Sequence, residues 1–426
     1  MMPAIHVRHR LRPALSGLGA LALTLLIAAC DSGSGGSGGP TSTDQEFAAN
    51  TTTALDQQRP AVASNRAGRS VVAWESFGQD GSHLGIVARR FDNGAPIGPE
   101  FVVNTYTVGR QNFPAVAMDA AGNFVVAWRS SLQGSPGGTI FAQRYAADGS
   151  KLGGEFRVGP DNSNRDSQSE PQVAMNAQGD FAIAWSNREV GALAEALGRN
   201  GDEDRWIEVR TYTADGNPRI APKRTTVQAD DPFPRAPRIG MDANGNIAVV
   251  WASAAGGTQL RVQHYDSSAN ALSPVYNINE ISNEIDADLA TMAMAPDGSF
   301  AVAWETYTFG YQPLGLLVRR YSGPQSPVGP PQRVAPPESG LVERNSMAIT
   351  ANGDLLLTAH ATDRVYFAVL TADGALIGPT RVSNSGFASL FPSVAQSGPN
   401  RALVAWQSLG QDGDGRGIRV REISLR

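Results

Sequence analysis

Two short loops carry the side chains best suited to holding a hard cation. Residues 76–81 read S-F-G-Q-D-G and residues 408–415 read S-L-G-Q-D-G-D-G. Asp80, Asp412 and Asp414 therefore offer carboxylate oxygens of the kind Ca²⁺ takes, although the full spacing of an EF-hand loop is absent. Ordinary turn formation is the competing reading of the same residues. A second group is aromatic: Tyr307, Phe309 and Tyr311 alternate within residues 305–314. Exposed rings at that spacing stack on sugars or anchor a protein partner, whereas packing of two of them into the interior is the alternative. A third group, Asp202, Glu203 and Asp204, closes an insertion at 186–205 in which Val190, Leu193, Ala194 and Leu197 fall at helical spacing. The insertion reads either as a short helix packed on the body or as a partner-binding lid.

Signatures of catalysis are sparse. Beyond the amino-terminal leader the histidines are His83, His264 and His360, far apart and without metal-ligand spacing. Outside the Gly/Ser-rich stretch at 31–39 there is no G-x-S-x-G nucleophile elbow, and the sialidase box S-x-D-x-G-x-T-W is not matched. The sequence thus nominates no catalytic residue and no cofactor other than calcium at the seam. Carboxylates distant in sequence can still meet at the axis of a ring.

A repeat positions these residues. Seven times between Pro60 and Arg421 the chain runs through a Pro, a short apolar strand, a Gly turn, an apolar strand ending in Trp, and a third strand. The marker residues are Trp74, Trp128, Trp185, Trp251, Trp304 and Trp406, and the sixth copy has Ala359 instead. Self-similarity at a period near ~50 residues, with four strand candidates per unit, predicts an all-β, seven-bladed propeller of four-stranded blades. A pair of β-sandwiches is the rival all-β solution. The regular phase of the tryptophans assigns them to packing between blades; Trp206 is off phase.

The chain ends support a ring. The last copy stops after its third strand at 417–425, whereas residues 46–51, E-F-A-A-N-T, match E-F-V-V-N-T at 100–105, the fourth strand of the first repeat. The early strand is predicted to complete the last blade and remove an open edge. Short D-x-x-G turns, such as 119–122, join first to second strands, and Asp-Gly turns join third to fourth. Both sets lie on one face. The opposite face carries loops that vary in length and chemistry, and is expected to be the working face. Second strands, continuously apolar, are expected to be buried, and third strands to lie nearer the solvated rim.

At the amino terminus, His6, Arg8, His9, Arg10 and Arg12 precede an apolar run at 18–29 and then Cys30, the arrangement of a secretory signal. The residues I-A-A-C at 27–30 resemble the bacterial lipobox. That resemblance implies a signal peptide at 1–29, lipid on Cys30, and a bacterial envelope location, in the outer or inner membrane facing the periplasm or at the cell surface. Residues 30–43 read as the lipidated Cys and a flexible Gly/Ser-rich tether, and 44–426 as the propeller. The repeat consensus, P-x-V-A with G-x-F-V-V-A-W, Q-D-G and G-x-E-F-x-V-N, resembles tandem repeats of bacterial secreted and surface proteins taken to form propellers. It implies fold and setting, with no shared activity. The architecture is also similar to the accessory lipoprotein of the outer-membrane barrel-assembly machine, by fold alone.

Composition narrows the function further. A net charge of −5 argues against a nucleic-acid-binding body. Cys30 is the only cysteine, so no internal disulfide can form. Lys151 and Lys223 are the only lysines among 35 cations, a bias read as codon usage. The expectation is a monomeric, membrane-anchored binding or scaffold propeller that presents its variable face to a protein or glycan partner. The alternatives are an extracytoplasmic glycosidase or lyase, and a calcium-stabilised surface adhesin.

Overall fold

A computed structural model describes residues 45–134, 137–160, 166–189, 205–225, 234–253, 259–279, 290–307, 313–334, 342–383 and 386–425. The leader, Cys30, the tether, Asp202, Glu203, Asp204, Phe309 and Tyr311 lie outside them. These residues form seven four-stranded antiparallel sheets, and strands adjacent in sequence pair in every sheet. The chain is a seven-bladed β-propeller. From blade one to blade seven the innermost strands are Gln57–Ser64, Gln111–Met118, Asp166–Met175, Arg235–Met241, Thr291–Met294, Val342–Ile349 and Ser389–Gly398.

Closure occurs as the repeated E-F-x-x-N-T segment requires. Phe47–Ala48 is the outermost strand of blade seven and pairs with Arg416–Ser424, setting Phe47 opposite Val420. Ala49 extends the pairing by donating its N–H to the Ile418 carbonyl at 2.8 Å. Neighbouring blades are clipped at their outer edges. Glu100 of blade one accepts Thr51 N–H at 2.7 Å, and Glu155 of blade two accepts Thr105 N–H at 2.6 Å.

Seven apolar clusters fill the seven interfaces between blades. All six repeat tryptophans are buried in them. The interface between blades five and six has none, and a cavity of ≈ 20 Å³ lies there against Ala359, Leu316, Val334 and Tyr366. Third strands differ among blades: Arg205–Tyr212 and Gln259–Tyr265 alternate between buried and half-exposed residues, whereas in Thr139–Tyr145 only Arg144 is half-exposed. Gln143 is fully buried there, and its amide nitrogen donates to the Gly153 carbonyl at 3.0 Å and the Arg144 carbonyl at 2.9 Å. The solvated strand is the fourth, as in Ala95–Val102. Blade three also has longer strands than the sequence suggested, with Phe181–Glu189 continuing into the expected insertion and Arg205–Tyr212 carrying Trp206 opposite Asn187.

Candidate functional site: the mouth of the central channel

Each innermost strand enters from the variable face, and in five of the seven blades a proline near its start bends it. Arg59, Phe113, Glu170, Ala236 and Phe391 each precede such a proline, and each has φ between 50° and 56°. Left-handed backbone costs a non-glycine residue about 1 kcal/mol or more, so five repeats of it must be held by their surroundings. A bulge accompanies every one, as the register shift between Gln58 and Ala61 shows for blade one. The extra residue leaves the ladder at the axis.

The residue that follows the repeat tryptophan supplies part of that support from the preceding blade. Glu75 accepts Phe113 N–H at 2.8 Å and Gln407 accepts Arg59 N–H at 3.0 Å. Arg129 donates to the Gln168 carbonyl at 3.0 Å, Asn345 donates to Glu305 at 3.4 Å, and the His360 ring lies 6.4 Å from that of Phe391. Burial raises the Glu75 carboxyl above its ordinary pKa, against the lowering effects of Phe113 N–H, Arg59 and Gln58. For Arg129, loss of solvent and the like charges of Arg110 and Arg188 depress the guanidinium.

The result is a cavity of ≈ 520 Å³ at the ring axis. Deep in it, Val62, Val116, Val173, Ile239, Met292, Met347 and Val394 contribute one apolar residue per blade. At the mouth stand Arg59, Phe113, Glu170, Arg238, Arg344 and Phe391. Arg59 lies over the Phe113 ring at 4.7 Å and over Phe391 at 5.5 Å, while Arg344 lies over Phe391 at 4.6 Å. These cation–π contacts fix the guanidinium planes. Arg238 donates to the Pro237 carbonyl at 2.9 Å. Desolvation lowers its pKa, Glu170 opposes the shift, and Arg344 adds to it.

The residues nominated from sequence lie elsewhere. Asp80 accepts the Asn104 amide at 2.8 Å, while Asp412 accepts that of Asn50 at 3.0 Å and Asp414 accepts Leu55 N–H at 3.0 Å. The first two are copies of one structural clip, since Asn104 and Asn50 each accept a strand N–H, from Ile86 and Ile418, at 2.7 Å. The expected convergence of the three aspartates is absent: among the described residues no three His, Cys, Asp or Glu side chains come together as a metal site. Tyr307 ends the strand Phe300–Tyr307. The signal missed in sequence was the pair of residues flanking each repeat proline, which change type from blade to blade.

No protein-family model and no curated protein matches this chain. Solved structures do. An ulvan lyase of a new polysaccharide lyase family, bound to -[GlcA(1-4)Rha3S]-, is similar at TM-score 0.56 and 11% identity, over 87% of this chain and 94% of that one. The polysaccharide lyase Uly1 gives TM-score 0.52 at 11% identity over 88% and 92%. A Dyadobacter fermentans protein of unknown function gives 0.52 at 13% over 91% and 100%. At such identities the shared property is the fold.

Proposed function

We propose that this protein is a lipid-anchored, extracytoplasmic binding propeller that takes a glycan at the mouth of its central channel. The observation that carries the reading is the composition of that mouth: three arginines, two phenylalanines and one carboxylate on bulged strands, above an apolar collar, in ≈ 520 Å³. Ligand pockets combine this size and apolar depth with a few convergent polar groups. The aromatic rings and guanidinium planes offer flat faces to sugar rings, and Cys30 with its tether would keep the body at a membrane surface. Glycoside hydrolysis by the usual route needs two facing carboxylates. Glu170 alone of the described carboxylates lines the channel, which favours binding over hydrolysis.

The test is a panel of neutral and acidic polysaccharides presented to the full lipidated chain in detergent, scored for retention and for new reducing ends. Retention that Phe391→Ala abolishes, without product, supports the reading; retention by none contradicts it, and product converts it to an enzyme. Fractionation of cells expressing Cys30→Ser tests the anchor, since the variant should leave the membrane fraction.

A further inference from the structure

We infer that the ligand at the channel mouth is an acidic saccharide, whose carboxylate or sulfate is received by Arg59, Arg238 and Arg344. The inference rests on the reading that the mouth binds a glycan, and adds the charge of that glycan and the groups that read it.

The chain carries 40 acidic and 35 basic residues, yet the mouth inverts that balance, with three arginines against Glu170. They come from blades one, four and six, so the ring, and no local run of sequence, assembles them. Arg238 is the most telling. Its place in the repeat is held in the other blades by Ala61, Ala115, Gln172, Thr291, Ser346 and Ser393, all shorter and uncharged. The position before its proline is Ala236, whereas Arg59, Phe113, Glu170 and Phe391 occupy that position in four other blades. A long cation thus enters the channel where the usual bulky residue is missing.

Like charge from Arg344 and loss of solvent both disfavour the charged form of Arg238, and only Glu170 among the named influences favours it. An anion seated among the three guanidiniums would relieve that repulsion. Arg59 and Arg344 are already oriented by Phe113 and Phe391, so little side-chain freedom remains to be lost on binding.

A saccharide fits these walls better than an acidic peptide. Gln172, Thr291, Asn345, Ser346 and Ser393 line the same cavity with amides and hydroxyls, which match a ligand bearing hydroxyl groups on every ring. Carboxylate and sulfate share the chemistry that arginine recognises, and separate ligands must distinguish them.

The experiment is calorimetric titration of the full chain in detergent with four probes: tetragalacturonate, its methyl ester, a sulfated neutral galacto-oligosaccharide, and hexaglutamate. At least one acidic saccharide should bind about tenfold or more tighter than the methyl ester and weaken as salt rises. Arg238→Gln and Arg344→Gln should each cost about tenfold. Glu170→Gln should tighten acidic binding several-fold, a gain that misfolding cannot imitate. Ester binding equal to that of the acids overturns the acidic assignment and leaves the glycan reading standing. Hexaglutamate binding as well as the saccharides overturns the saccharide assignment. An unchanged or weaker affinity in Glu170→Gln also overturns the inference, and failure of all four probes removes it together with the reading beneath it.

Discussion

Glu75 accepts the main-chain N–H of Phe113 at 2.8 Å, across the boundary between the first blade and the second. One carboxylate thereby joins the two layers of the mouth: it holds a left-handed residue at the axis and faces Arg59, whose Nε lies 3.9 Å away. Gln407 does the same for Arg59 itself from blade seven.

Removing that acceptor should cost stability. Glu75→Ala leaves a half-buried N–H without its partner, and should destabilise the fold by about 1–3 kcal/mol, read as a lower melting temperature. Glu75→Gln retains an acceptor. Because the folded-state pKa of Glu75 is raised, its contribution favours folding below the ordinary carboxylate range and is lost as pH rises through the folded value. Glu75→Gln should therefore match or exceed wild type at pH 7, with its relative advantage shrinking in acid.

Glu100 has the opposite sign. Burial would raise its pKa, but hydrogen bonds from Thr52, Thr51 and Gln79 outweigh that and lower it. Its contribution to the seam is thus present above the unfolded value of 4.5 and lost as pH falls through the folded one. Glu100→Gln should melt lower than wild type at pH 7, by the equivalent of about 1 kcal/mol after allowance for solvent exposure. The two melting curves should converge once pH falls below the folded-state value.

His264 is pushed down to about 4 by burial, with Asp242 opposing, and its Nε2 lies 3.1 Å from the Tyr276 hydroxyl. A histidine held neutral in the fold must pick up a proton on unfolding, so stability should decline as pH falls from the ordinary value of 6.5 towards 4. His264→Gln should flatten that part of the pH profile of melting temperature.

The interfaces between blades should respond to volume. Trp128→Ala should cost about 3–5 kcal/mol. In the interface that lacks a tryptophan, Ala359→Leu should gain about 1 kcal/mol by filling the cavity, whereas Ala359→Trp should lose about 1–3 kcal/mol through overpacking against Leu316 and Tyr366. Equilibrium denaturation measures all three.

Much of this ring was legible because strands buried on both faces repeat their apolar pattern and their turns repeat their glycines. The closure by residues 46–51 was visible in a six-residue match. The mouth was not, for a physical reason. A metal or aromatic site within one loop advertises itself by spacing, which drew attention to Asp80, Asp412 and Tyr307. Arg59, Arg238 and Arg344 come from three blades and meet only when the ring closes. The aspartates of the Q-D-G loops have a structural role that glycine spacing records: a Cβ on Gly85 would lie 2.7 Å from Asp80 Cγ, and one on Gly417 would collide with Asp412 Oδ2. Gly417→Ala should therefore weaken blade seven, with partial recovery in the Asp412→Ala double variant. Chelation should leave the melting temperature unchanged.

The central claim is that the axis end of the variable face is a ligand site. A crystal structure of the propeller soaked with tetragalacturonate or the sulfated galacto-oligosaccharide tests it most directly. Saccharide density is expected within the channel mouth, its acidic group about 2.7–3.2 Å from guanidinium nitrogens of Arg59, Arg238 or Arg344. Density confined to the outer strands or the opposite face, with the mouth holding only solvent, would contradict it.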